Sequence, residues 1–318
     1  MLIRRPRLVS SARPEEGGEL LLGPPAPRDA SRLRRLAESR PSEHVHVAAL
    51  IDGALVGVAP RLLVVKRGGL PAAVAARHRG LAVAVDPDLR QDPAVLSALA
   101  RAIARLAGHE DVLFGPRTVI APLLERAGSV GLAVVEVRDQ ILMTLPSEPR
   151  EPAPPPGWRL RRARPEDHRW LLRAHAAMCR EDLGVDQVSG NLAAYRRYFR
   201  DLIRAGASHV GERWDRPVFK AETPVESRSR ILLEGVYTVP SERCAGCAGA
   251  AVAQLGREAL RRNRKLCLYV QAGNDRARRL YRRLGFEPDG FWVTAVLRRR
   301  RGAWPAGPSI PAAGRRGA

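Results

Sequence analysis

Between Pro146 and Gly157 the chain reads Pro-Ser-Glu-Pro-Arg-Glu-Pro-Ala-Pro-Pro-Pro-Gly. No other segment constrains the fold as strongly. Proline fixes φ near about −65° and brings no backbone N–H, so such a run belongs neither inside a helix nor in a central strand. It reads as a semi-rigid spacer. In a chain of 318 residues, a break at this point predicts two compact units, each long enough to bury a core.

The predicted organisation is a flexible basic arm over 1–43, a first unit over 44–147, the linker at 148–157, a second unit over 158–299 and a disordered basic tail over 300–318. One short helix, Ala30 to Glu38, is expected within the arm. His44 to Ile51 reads as a strand, the Asp52-Gly53 turn follows, and Ala54 to Val58 reads as its hairpin partner. Further on, a strand is expected at Leu81 to Val85. Asp92-Pro93 then opens a helix with apolar residues at Val95, Leu96, Leu99, Ile103 and Leu106. Asp111 to Arg117 is a short apolar run, Thr118 to Ala127 a helix, and Val134 to Leu145 an extended segment. In the second unit a strand at Trp158 to Ala163 leads to helices starting at Arg164-Pro165 and at Leu192. Strands are expected at His209 to Glu212, Val218 to Thr223 and Ile231 to Val239. A helix over Gly246 to Arg262, a strand at Leu266 to Gln271, a helix over Asp275 to Leu284 and a strand at Phe291 to Leu297 complete it. Alternation of strands and helices makes both units α/β.

The formal net charge is +21, which raises nucleic acid as a partner, because basic faces gain affinity by releasing counterions. Yet the arginines are scattered through every element, and only 5% of residues are aromatic, so a clustered footprint with stacking platforms is missing. Small anionic molecules would benefit from the same field. Four cysteines, at 179, 244, 247 and 267, make no disulfide framework. No stretch is long enough for a membrane span or a signal-peptide core. The reading is a cytoplasmic protein.

The most informative stretch is Gly235-Val236-Tyr237-Thr238-Val239-Pro240-Ser241-Glu242-Arg243-Cys244-Ala245-Gly246-Cys247-Ala248-Gly249-Ala250, a strand delivered through a turn of small residues into a helix. Such a junction attracts anions, because the turn amides and the unsatisfied N–H groups of the first helical turn converge. Gly246, Ala248 and Gly249 allow a phosphate to approach the backbone. Arg243-x-x-Gly246-x-Ala248 resembles the coenzyme-A pyrophosphate loop of the GNAT superfamily of N-acetyltransferases, Gln/Arg-x-x-Gly-x-Gly/Ala. Leu266 to Phe286 resembles the next strand and helix of that family. Leu113-Phe114-Gly115-Pro116-Arg117 and Glu136-Val137-Arg138 give the first unit a weaker likeness to a GNAT-like domain, without the loop.

What the resemblance implies is an α/β fold of tandem GNAT-like domains, each a mixed, largely antiparallel twisted sheet flanked by helices, the first degenerate. It implies an acyl-CoA-dependent N-acyltransferase using acetyl-CoA and no metal. The acceptor is an amine of a small molecule or protein, with no membrane partner; a homo-oligomer stays open. The coenzyme would be held by Val236, Tyr237, Thr238, Arg243, Cys244, Ala245, Gly246, Cys247, Ala248 and Asn274, with Tyr281 beside its sulfur as general acid. Asn274 equally suits a helix cap, and Tyr281 a core position. For the general base the first candidate is Glu222, followed by Glu181 with Asp182, then Glu234. Cys244 and Cys247 form a C-x-x-C pair, but a zinc site needs two further ligands. The alternative reading is a catalytically weak coenzyme-binding sensor or protein-interaction module.

Overall fold

The computed structural model describes residues 20–53, 61–150, 153–184 and 186–300. Its elements run β1 (Leu20–Gly23), α1 (Ala30–Glu38), α2 (Val45–Ile51), β2 (Arg61–Arg67), β3 (Leu70–Arg77), β4 (Leu81–Val85), α3 (Pro93–Leu106), β5 (Glu110–Pro116), α4 (Arg117–Arg126) and β6 (Leu132–Thr144). The second half follows with β7 (Trp158–Arg162), α5 (His168–Leu183), α6 (Gln187–Gly190), α7 (Leu192–Arg204), β8 (Ser208–Arg213), β9 (Arg216–Glu226), β10 (Arg230–Thr238), α8 (Cys247–Arg261), β11 (Lys265–Gln271), α9 (Asp275–Leu284) and β12 (Glu287–Arg299). Local chemistry sets several of these limits. Asp92 caps α3 through Oδ1, which accepts from Ala94 N–H at 2.9 Å and Val95 N–H at 3.0 Å, with Pro93 at the first position. At the other end of the chain, α9 begins at the Asn274 cap and stops at Gly285, whose φ of +99° is open to glycine.

Among the described residues the strands form one sheet in the order β1-β2-β3-β4-β5-β12-β6-β11-β10-β9-β8-β7. Each half repeats one plan, four antiparallel strands, a helix crossover to a parallel strand, and a second helix leading to a last strand. The last strands are exchanged. β12 pairs with β5 of the first half, and β6 pairs with β11 of the second, while β6 and β12 lie antiparallel between them. Backbone hydrogen bonding therefore runs without a break from one half to the other. The proline segment lies along the second half, with Pro149 and Pro155 buried and Arg150 N–H donating to Leu284 O.

Helices cover both faces. In the first half α3 and α4 close one core with Leu81, Val83, Leu99 and Ile120, and α1 and α2 close the opposite one with Val64, Val74 and Ala82. In the second half Phe219 and Ala221 of β9 pack toward α8. Strand alternation turns Lys220 the other way, toward Phe199 of α7.

Two expectations from sequence are corrected here. His44 to Ile51 is not a strand: Val45–Ile51 is a helix. All its residues but His46 are apolar, because it is buried on two sides. Val45 and Ala49 meet Leu142, Leu232 and Trp292, while Val47 and Leu50 meet Val64, Val74 and Ala82. A short helix covered on two faces loses the amphipathic period that would mark it. Burial of a Val or Leu side chain gains about 1.5–3 kcal/mol, against at most about 0.7 kcal/mol per residue of helix propensity, so packing decides. Its proposed hairpin partner, Ala54 to Val58, lies outside the described residues. The second correction concerns the arm. Residues 20–43 are docked on the first half, since β1 pairs with β2 and α1 buries Leu33, Leu36 and Ala37. Asp29 anchors that segment by an ion pair with Lys66 at 2.7 Å. The rest of the arm, 1–19, and the tail over 301–318 lie outside the described residues. Between Ala59 and Gly80 the sequence reading assigned nothing, and β2 and β3 stand there. Among the described residues no helix is long and apolar enough to cross a membrane.

Candidate functional site

β10 and β11 are paired in parallel only from Arg230 to Leu233 and from Lys265 to Leu268. Beyond that point both continue, but apart. On the other side of β10, one residue too many lies between Glu234 and Tyr237 relative to β9, which is a β-bulge. Gly235 sits in the bulge with φ +60°, and a Cβ there would run into the Glu222 carboxylate. Glycine is therefore required on both conformational and steric grounds. The bulge turns the end of β10 away from β11, so the backbone edge of Glu234 to Thr238 on that side has no strand partner. A cleft of about 630 Å³ opens between the diverging strands.

Its floor is the start of α8. Gly246, with φ +89°, precedes the helix, and no side chain caps it. The first intrahelical bond there runs from Ala250 N–H to Gly246 O at 3.0 Å, so the amides of Ala248 and Gly249 have no intrahelical acceptor. Arg243, Arg276 and Arg283 also line the cleft. Open amides, a helix dipole and three guanidiniums suit an anionic ligand such as a diphosphate. The matching junction of the first half, between β4 and α3, is different. There the Asp92 carboxylate occupies the helix N-terminus and pairs with Arg67, so an incoming anion meets a negative charge.

Of the residues expected to hold coenzyme, Val236, Tyr237, Thr238, Arg243, Cys244, Gly246, Cys247, Ala248, Asn274 and Tyr281 all line the cleft. Ala245 is not among its lining residues and packs against the core beneath. Arg243 is held in place. Its Nε donates to Thr238 O at 3.0 Å, its Nη2 to Glu181 Oε2 at 2.6 Å, and its guanidinium lies 5.5 Å from the Tyr237 ring centroid. Asn274 accepts from Ala277 N–H at 3.0 Å as the cap of α9. Tyr281 packs its ring 5.6 Å from that of Phe286. Burial holds its phenol above its ordinary pKa, so it stays protonated at neutral pH.

The carboxylates separate clearly. Glu222, the first candidate for a base, does not line the cleft. It is buried in an ion pair with Lys220, whose Nζ lies 3.0 and 2.9 Å from its two oxygens and also donates to Gly235 O at 2.8 Å. Glu181 is on the cleft wall but is engaged by Arg243 and by Tyr237 O–H, which donates to Oε1 at 3.4 Å. Asp182 also lines the cleft, and burial raises its pKa. Glu234, ranked last from sequence, stands directly at the mouth of the bulge. Burial pushes its carboxyl up to about 7, with Arg79 and Lys220 drawing it down and Glu222 adding to the rise. Sequence reasoning missed Gln140, Arg276 and Arg283 on the cleft wall altogether. The one signal that could have promoted Glu234 is the Glu-Gly pair, since a glycine inside an apolar strand marks a bulge.

The FR47-like protein family model matches residues 225–295, which run from the end of β9 through the cleft to β12. No curated protein matches the sequence. Among solved structures, a Drosophila protein superposes with a TM-score of 0.64 at 17% identity, over 86% of this chain and 98% of that one. A GCN5-related N-acetyltransferase from Sphaerobacter thermophilus gives 0.58 at 21% identity, over 89% and 96%. A tandem GNAT protein from the clavulanic acid biosynthesis pathway gives 0.54 at 15% identity, over 91% and 100%. At these coverages the likenesses extend over both halves of the chain. The chain is a protein of tandem GNAT fold whose second half carries the FR47-like segment.

Proposed function

We propose that the second half is an acyl-CoA-dependent N-acyltransferase that acylates an amine by direct attack. The observation that carries this reading is the splay of β10 from β11 above an uncapped helix N-terminus. Together they offer backbone amides to both ends of an acyl-CoA. The coenzyme supplies an activated acyl thioester and three phosphate groups, and the cleft fits both requirements. The amides of Ala248 and Gly249, with Arg243 and Arg276, would hold the diphosphate. The unpaired edge of Val236 to Thr238 would hold the pantetheine arm and polarise the thioester carbonyl.

Glu234 receives the proton that the amine loses, and Tyr281 delivers one to the departing sulfur. A bond forms between nitrogen and the acyl carbon, and the carbon–sulfur bond breaks. A carboxyl near pH 7 suits a base at neutral pH, since it is ionised in a large fraction and still basic. Positioning contributes as well, because both reactants are held against one carboxylate, Glu234.

Two variants test the assignment. Arg243→Glu removes a cation from the phosphate site and adds an anion, and is expected to weaken coenzyme A binding at least about tenfold, read by calorimetry. Unchanged affinity would mean the coenzyme lies elsewhere. Tyr281→Phe is expected to lower kcat by about a hundredfold, the effect of losing a general acid, with the KM for acetyl-CoA nearly unchanged. A preserved kcat would leave Tyr281 as a packing residue. Coenzyme binding with no transfer to any of a broad amine panel would favour a sensor or interaction module.

A further inference from the structure

Beside the coenzyme cleft lies a smaller cavity of about 180 Å³, on the seam between the halves. The first half supplies His46, Leu50, Arg79 and Phe114 to its wall, and the second supplies Val225 and Glu234. Glu234 is the one described residue that lines both cavities. With the coenzyme in the larger space, as proposed above, the seam offers an amine a second approach to the same carboxylate.

Arg79 stands in the turn between β3 and β4, and its guanidinium carbon lies 3.8 Å from the centroid of the Tyr198 ring of α7. A cation over an aromatic face is oriented, and the planar N–H fork of a guanidinium matches a two-oxygen acceptor. Leu50, Ala76, Ala82, Phe114 and Val225 give the cavity an apolar lining. Its 180 Å³ falls below the roughly 300–1,000 Å³ of sites for drug-sized ligands, so the occupant is a group of few heavy atoms.

Building on the acyltransferase reading, we propose that the seam cavity binds the acceptor, and that the acceptor is a small primary amine carrying a carboxylate. The amine lies on Glu234 of the second half and the carboxylate on Arg79 of the first. The short aliphatic portion rests on the apolar wall. The first half, whose own helix N-terminus is occupied by Asp92, thereby acts as the specificity half of a composite site. The exchanged strands β6 and β12 fix its position relative to the chemistry, because they tie both halves into one sheet.

The test compares glycine, L-alanine and β-alanine with methylamine and ethylamine by NMR titration of the coenzyme A-loaded protein. The carboxylated amines are expected to bind about tenfold or more tightly, the contribution of a charge-assisted pair. Arg79→Gln is expected to erase that preference while leaving coenzyme A affinity within about twofold, since Arg79 is no part of the coenzyme cleft, and Arg79→Lys to restore part of it. Equal binding of both classes, or a preference that survives Arg79→Gln, overturns the proposal. Repeating the titration without coenzyme separates the two ideas. Carboxylate preference in a protein that never binds coenzyme A would refute the acyltransferase reading and leave the seam site standing.

Discussion

Glu234→Gln is expected to lower kcat by about a hundred- to ten-thousand-fold, the range spanned by loss of a positioned general base, with coenzyme affinity retained. The reason lies in one residue's two surroundings. Glu234 faces both the cleft where the β10 edge is unpaired and the seam cavity proposed for the amine. Burial has moved its pKa from 4.5 to about 7. The charged groups around it are Arg79 from the β3–β4 turn and Glu222 and Lys220 from β9. In the wild type, kcat should fall about tenfold per pH unit below pH 7, as the carboxyl takes up its proton and ceases to be a base. The Gln variant should show a flat profile there. An unaltered acid limb in that variant would assign the titration to another group.

The same shift has a consequence for stability, of opposite sense. A carboxyl whose folded-state pKa is raised binds more protons folded than unfolded between pH 4.5 and about 7, so its contribution to stability is full below that window and is lost as pH rises through it. Glu234→Gln should therefore be more stable than the wild type at pH 8, by a margin that vanishes near pH 4, in denaturant melts at the two pH values. Activity lost and stability gained in one substitution would be the mark of a functional carboxylate held in an unfavourable place.

Lys220→Met is expected to destabilise the protein by about 3–5 kcal/mol, the cost of leaving a buried partner charge unpaired. Lys220 and Glu222 are 0% and 1% exposed. Removing the ammonium strands the Glu222 carboxylate among Phe199 and the bulge, and removes the donor to Gly235 O at 2.8 Å. The double variant Lys220→Met with Glu222→Leu should recover most of the stability, because an apolar pair of similar volume replaces a desolvated ion pair. Coenzyme affinity should stay low in both, since neither restores the hold on the bulge carbonyl. Restored stability with restored affinity would show that the ion pair serves packing alone and that Gly235 keeps the bulge unaided.

Much of the second half was legible from local chemistry. The helix over Asp275–Leu284 matches its expected limits, because an asparagine cap and a glycine stop frame an amphipathic run. Leu81–Val85 and the helix after Asp92-Pro93 were equally plain. The strand-turn-helix from Gly235 to Ala250 was legible too, with the end of β10, a turn of small residues and the start of α8 in the expected order. Less legible was α2, whose burial on two faces erased its period, and β1, four residues whose strand character comes from pairing with β2. The ranking of carboxylates was not legible at all. Glu222 and Glu234 are neighbours across β9 and β10, yet one is locked to a lysine and the other opens on two cavities.

Sequence by itself determined the elements whose identity rests on near neighbours in the chain. Caps, turns and periodicities act over a few residues, and so does the row of amides at the start of α8. Only the tertiary structure decided the exchange of β6 and β12, the pairing that neutralises Glu222, and the meeting of Arg79 with Glu234 across the seam. Those depend on contacts between residues far apart in sequence, where strand pairing and burial, rather than any local preference, set the energy of each side chain.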